Sequence, residues 1–107
     1  MYQGTTPIIP LTFKGVDLSE AKIYLTMADG CKKTRTFVSG EDFEVTFDGT
    51  DTTGTIRLTQ EQTLNMSAGA HTVQARWVFP DGSAGASKKT TAHVNEVLLK
   101  DVISYDG

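Results

Sequence analysis

The stretch His71-Thr72-Val73-Gln74-Ala75-Arg76-Trp77-Val78-Phe79 decides the fold. In an extended chain Val73, Ala75, Trp77 and Phe79 share one face, and Thr72, Gln74 and Arg76 share the other. A period of two marks a strand with one buried side, and Trp77 is its expected core anchor. Pro80-Asp81-Gly82-Ser83 then reads as a tight turn, and Gly85 to Val94 as a more polar returning strand.

Outward from this hairpin the same alternation recurs. Pro7 to Phe13 places Ile9, Leu11 and Phe13 on one face. Its two prolines cannot donate ladder hydrogen bonds, so it belongs at a sheet edge or carries a kink. Asp17 to Ala21 reads as one helical turn capped by Asp17. Lys22 to Ala28 is a second strand with Ile23, Leu25 and Met27 inward, and Asp29-Gly30 is a two-residue hairpin signal. Lys32 to Val38 returns as a third strand. Phe43, Val45 and Phe47 alternate with polar residues as a fourth, and Asp48 to Gly54 is a polar loop. Thr55 to Leu58 is a fifth strand. Thr59-Gln60-Glu61-Gln62 fits a capping box that opens a short helix through Leu64.

Thr, with 16 copies, is the commonest of the 107 residues, and no long 3.6-period run exists. About seven strands with regular turn signals give an all-β fold: an immunoglobulin-like antiparallel β-sandwich with one or two short helical turns, occupying residues 1–107 as a single domain. With 38% hydrophobic residues and a net charge of −3, the composition is that of a globular domain with one core. No apolar run is long enough to span a membrane, and Met1 to Thr6 shows no signal-peptide pattern, so synthesis in a cytoplasm is expected. A pI of 5.2 argues against nucleic acid as the main partner. The doublets Lys32-Lys33 and Lys88-Lys89 are too short to change that reading. Cys31 is the single cysteine, so no internal disulfide forms.

The residues that could carry chemistry form no recognisable catalytic or metal motif. His71 and His93 are expected as exposed or half-exposed strand residues. A turn at Asp81-Gly82 would put His71 opposite residue 92 or 93, making the two rings cross-strand neighbours, but a metal site needs a third ligand. Asp48-Gly49-Thr50-Asp51-Thr52 lacks the ligand spacing of a calcium loop. Glu41, Asp42 and Glu44 are neighbours in sequence rather than carboxylates facing across a cleft. No enzyme activity and no cofactor are expected. Tyr2, Tyr24 and Tyr105 are the candidates for a sugar-stacking platform, which leaves a carbohydrate-binding module for bacterial surface polysaccharide as the alternative function. The remaining apolar surplus is C-terminal: Leu98, Leu99, Val102 and Ile103, within Val97 to Ile103, either complete the sandwich as a further strand or pack against another copy or another protein.

Several blocks, taken in order, resemble a family of small phage and prophage proteins. They are Gln3-Gly4-Thr5-Thr6-Pro7, Val16 to Ala21 before a strand, Leu58 to Leu64, Val73 to Trp77, Asp81 to Ala86 and Val94 to Ile103. That family occurs in tail or baseplate gene modules of phages of Gram-positive bacteria. It includes stand-alone short proteins and the immunoglobulin-like N-terminal domain of baseplate upper proteins. The resemblance covers about Gln3 to Ile103. It implies a structural, non-catalytic role in the virion, with other tail or baseplate proteins as partners, self-association left open, and neither nucleic acid nor membrane bound. Baseplate upper proteins continue into fibre-like and receptor-carrier regions, whereas this sequence stops at Gly107, so an adaptor or decorating role is expected.

Overall fold

A computed structural model describes residues 1–31 and 33–106. The strands are β1 (Ile8–Phe13), β2 (Lys22–Ala28), β3 (Thr34–Val38), β4 (Glu44–Phe47), β5 (Thr52–Arg57), β6 (Gly69–Val78), β7 (Ala84–Ala86) and β8 (Thr90–Val94), with helix α1 (Gln60–Leu64) between β5 and β6. β1-β5-β4 form one antiparallel sheet. β3-β2-β6 form the other, and β7 and β8 both pair with the remaining edge of β6. The two sheets face each other as an antiparallel β-sandwich. Their inward residues make one core, in which Leu18, Ile23, Ile56, Leu58 and Val94 are fully buried.

β6 is the spine of the larger sheet. Val73, Ala75 and Trp77 face inward as the alternation requires, and His71 shares their side. Trp77 is half-buried rather than enclosed. Its indole meets Phe13 of the opposite sheet edge-on, with centroids 5.8 Å apart and planes at 79°. It also lies over Gly85, its cross-strand partner, where an added Cβ would come within 2.5 Å of the ring nitrogen. The turn expected at Pro80–Ser83 forms: Gly82 N–H donates to Phe79 O (2.9 Å), and Gly82 takes a φ of +90°, a region that favours glycine.

The returning strand is broken where one strand was expected. β7 pairs Ala86 with Arg76, and β8 pairs Thr90 with Val73. Three residues, Ser87 to Lys89, therefore oppose two on β6, which is a β-bulge. The slip reverses the parity of everything after it. Ala92 and Val94 turn inward, and His93 turns out. The bulge also leaves Ala75 N–H without a backbone partner on β7 or β8. Ser87 Oγ accepts from it (2.9 Å), while Ser87 N–H donates to Ala75 O (2.8 Å) and Gln74 Nε2 donates to Ser87 O (3.0 Å).

Other expectations are corrected. Asp17 to Ala21 is a turn, not a helix: Asp17 Oδ1 accepts from Ser19 N–H (3.0 Å) and Ser19 Oγ (2.6 Å). Asp29-Gly30 is part of a five-residue connection, because Ala28 pairs with Thr34. Asp29 Oδ1 organises that loop by accepting from the N–H groups of Cys31 and Lys33, both at 2.9 Å. The third strand starts at Thr34; Lys32, its expected first residue, lies outside the described residues. The loop read as Asp48 to Gly54 is shorter, since Thr52, Thr53 and Gly54 begin β5. Thr52 is fully buried. Its hydroxyl donates to Val16 O and accepts from Leu18 N–H, both at 2.8 Å, and so fastens the β1–β2 connection to the core. The capping box forms as read, with Thr59 Oγ1 accepting from Gln62 N–H (3.1 Å) and Gln62 Oε1 from Thr59 N–H (2.8 Å).

Ser87→Ala removes the acceptor for a buried N–H and should lower the unfolding free energy by about 1–3 kcal/mol. Urea denaturation followed by far-UV circular dichroism measures this. A loss near zero would show that the hydroxyl is not the partner that matters.

Candidate docking surface

The two sides of the sandwich are closed differently. On one side β3 and β4 are joined by a short loop, where Gly40 N–H donates to Phe43 O (2.8 Å) and Val38 N–H to Asp42 Oδ2 (2.7 Å). On the other side β1 is the edge of its sheet, as its prolines predict, and β8 is the edge of the larger one. There Gln3 N–H donates to Asn95 O (2.9 Å) and Asn95 N–H to Met1 O (2.6 Å), so Met1–Gln3 covers only the far end of β8. Among the described residues, no strand pairs with the rest of that edge or with the outer edge of β1. Between them lies a cleft of about 520 Å³, whose walls include Ile9, Leu11, Phe13, Met27, Val73 and Ala92. Lys88, carried there by the bulge, is the only charged side chain lining it among the described residues.

The four residues singled out in the C-terminal segment are all on the surface. Leu98 is 102% exposed, Leu99 59%, Val102 61% and Ile103 60%. Of the two alternatives, the further strand is not formed: among the described residues, nothing after Val94 is in a strand. The segment is held to the body by polar contacts. Gln60 Nε2 donates to Ile103 O (3.0 Å), and Ile103 N–H donates back to Gln60 Oε1 (2.8 Å). Lys100 Nζ reaches Gln3 Oε1 (2.6 Å) and Glu96 Oε1 (3.3 Å). The radius of gyration, 15.2 Å, exceeds the roughly 13 Å of a compact chain of this length, in keeping with a flat sandwich and a segment lying outside it.

Elsewhere, His71 is buried, a departure from the expected exposed position, and its Nε2 donates to Ser67 O (2.7 Å). It faces Ala92 across the strand pair, while His93 pairs with Ala70 on the opposite face, so the two rings are not neighbours. Ser67 Oγ donates to Asp29 Oδ2 (3.1 Å). The structure thus gathers a serine, a histidine and an aspartate that the sequence does not associate. The imidazole bonds the serine's carbonyl rather than its hydroxyl, which is not the contact a nucleophile and its base require. The adjoining space, about 20 Å³, is room for one water. Asp48 and Asp51 are spent on backbone groups: Asp48 Oδ1 accepts from Thr50 and Asp51 N–H (2.8 and 2.7 Å), and Asp51 Oδ1 from Gly15 N–H (2.8 Å). Among the described residues no cluster of three or more His, Cys, Asp or Glu could hold a metal. No helix among them is long and apolar enough to cross a membrane.

Tyr2 and Tyr105 are exposed, and Tyr24 stands on the outer face of β2 with Lys22 Nζ 5.6 Å from its ring centroid. Tyr24 lines an open depression with Thr26, Thr36, Arg76 and Trp77; Tyr2 and Tyr105 do not line it. The sequence matches none of the protein families it was compared with, and no curated protein is significantly similar to it.

Asp17, Asp29, Asp48 and Asp81 are held below the usual carboxylate range by the turns they organise. The leading causes are the Ser19 hydroxyl for Asp17, the Lys33 N–H for Asp29, the Asp51 N–H for Asp48 and the Ser83 hydroxyl for Asp81. Their folded pKa values are depressed, so their contribution to stability is complete above the ordinary carboxylate value near 3.9 and is lost as pH falls through the lower folded values. The melting temperature should be level from about pH 7 to about pH 5 and fall below about pH 4. Asp29→Asn should shrink that fall. An equally steep fall in the variant would remove Asp29 from the cause.

Proposed function

We propose that the protein is a non-catalytic structural module that docks other proteins of a phage or prophage tail or baseplate, and that it is carried in the virion. The observation that supports docking is the C-terminal segment: four large apolar side chains on seven residues of chain, more than half exposed, with no place in the core. Apolar surface gathered in this way marks an interaction site rather than ordinary scatter. The open cleft beside β1 and β8 offers a second surface of the same character. The phage setting rests on the sequence resemblance. The non-catalytic reading draws support from hydrogen-bond donors and acceptors that serve turns, caps and the bulge. A sugar-binding role has less support: of the three tyrosines only Tyr24 lines the depression on the open sheet face, and Trp77, which also lines it, sets its indole against Phe13 and Gly85.

The test is mass spectrometry of particles purified after prophage induction, with the wild-type chain and a Leu99→Glu/Ile103→Glu variant compared. The wild-type protein should appear at a fixed ratio to tail proteins. The variant should fold with an unchanged melting temperature, since exposed substitutions shift stability by only about 0.5 kcal/mol, yet be absent from particles. Normal incorporation of the variant would remove these residues from the contact. Wild-type chain found only in the soluble lysate would remove the virion role, and titration with cell-wall polysaccharide, with Tyr24→Ala as control, would then decide the sugar-binding alternative.

A further inference from the structure

We propose that the cleft between β1 and β8 receives residues 97–103 of a second copy of this chain as an added strand. The inference rests on the docking reading above and names its partner.

The cleft is built as a strand's berth. Ile9, Leu11, Phe13, Val73 and Ala92 are only half-buried, and they line its walls. Its volume of about 520 Å³ is within the roughly 300–1,000 Å³ of small-molecule sites. It is nevertheless a trough between two strand edges rather than an enclosed pocket. Strand edges carry unpaired N–H and C=O groups, which take up an extended peptide by strand addition.

The same chain carries a segment with the matching defect. Seven extended residues span about 23 Å, enough to run the length of β1. In that conformation Val97, Leu99, Asp101 and Ile103 share one face, three apolar residues and one acid. The cleft presents apolar walls and one base, Lys88. The charges therefore correspond as well as the apolar groups do. A wholly apolar donor would leave Lys88 without a counter-charge.

The donor is a second copy because Met1–Gln3 occupies the edge of β8 at His93 to Asn95, where the segment of the same copy would have to turn back into the cleft. That segment lies instead at α1, bonded through Ile103 to Gln60. Those bonds are exposed, so water replaces them when the segment leaves. The bond from Lys100 Nζ to the buried Gln3 is given up in the same step and is the larger cost of release. Each copy then gives one strand and accepts another. Such a head-to-tail contact closes into a ring or continues as a filament, according to the rotation it imposes.

The test uses the full chain and two exposed charges, so folding is not at stake. Sedimentation equilibrium over a wide concentration range should show reversible association. Lys88→Glu and Asp101→Lys should each weaken it by about tenfold or more, since each opposes like charges. An equimolar mixture of the two variants should associate again, because every cleft then meets a segment of opposite charge. Monomeric wild-type protein, single variants that associate like the wild type, or a mixture no tighter than its components would each overturn the proposal. The docking reading is judged separately: monomeric protein in solution together with loss of Leu99→Glu/Ile103→Glu from particles removes self-assembly and leaves docking in place. Association that follows the charge rule, with no chain in particles, removes the phage setting and keeps the strand exchange.

Discussion

Ala75 N–H, buried at the middle of the longest strand, is satisfied by the side chain of Ser87 rather than by a backbone carbonyl. This substitution of a hydroxyl for a peptide group allows one extra residue to stand between β7 and β8. The arrangement of the last strand follows from it. Without the insertion, Thr91 and His93 would face the core and Ala92 and Val94 the solvent, because side chains alternate and a slip of one exchanges the faces. Burying Val94 is worth about 1.5–3 kcal/mol, whereas an imidazole and a hydroxyl in its place would each need a new partner. The bulge also sets Lys88 at the wall of the cleft. A local repair to one hydrogen bond thus governs both the closure of the core and the chemistry of the open side.

The contrast between the two sides of the sandwich has a similar local origin. β3 and β4 follow one another in sequence, and a loop of a few residues with its own hydrogen bonds joins the sheets there. β1 and β8 are far apart in the chain. They are joined only where the N-terminal residues leave the larger sheet at Asn95 and cross to β1, with Gly4 at a φ of +71° in the crossing. The remainder of each edge is exposed. Proteins commonly protect such edges with proline or charge, and here Pro10 lies within β1 and Lys88 and Lys89 flank β8. These features discourage indiscriminate pairing while leaving a trough that a segment of suitable pattern enters.

Much of this architecture was legible in the sequence. The bounds of β2, the alternation of β6, the edge position of β1 and the capping box at Thr59 and Gln62 all follow from short-range rules, and the surrounding structure does not oppose them. Where the reading failed, a side chain had replaced a backbone interaction. Asp29 organises a five-residue loop from a signal that also fits a two-residue turn. Asp17 caps a turn with the same chemistry that would start a helix. Thr52 looks like loop because it is polar, and it is buried because its hydroxyl has partners on Val16 and Leu18. The bulge did leave a trace: Gly85 must lie opposite Trp77, and Val94 must be inward, yet they are an odd number of residues apart. Of the docking surface, the apolar surplus at Leu98 to Ile103 was visible, and its failure to join the sandwich was not. The cleft that faces no strand was beyond reach of the sequence, since it depends on which edges end up unpaired.

Trp77 is the single tryptophan of the chain, and it rests on Gly85 within its own sheet while touching Phe13 in the other. Its indole lies half-buried at the side where the sheets are least firmly joined. The protein therefore contains an intrinsic optical gauge of the gap between its layers. Intrinsic emission would report the parting or closing of the sheets even when every backbone ladder is intact, a motion to which far-ultraviolet spectroscopy is blind.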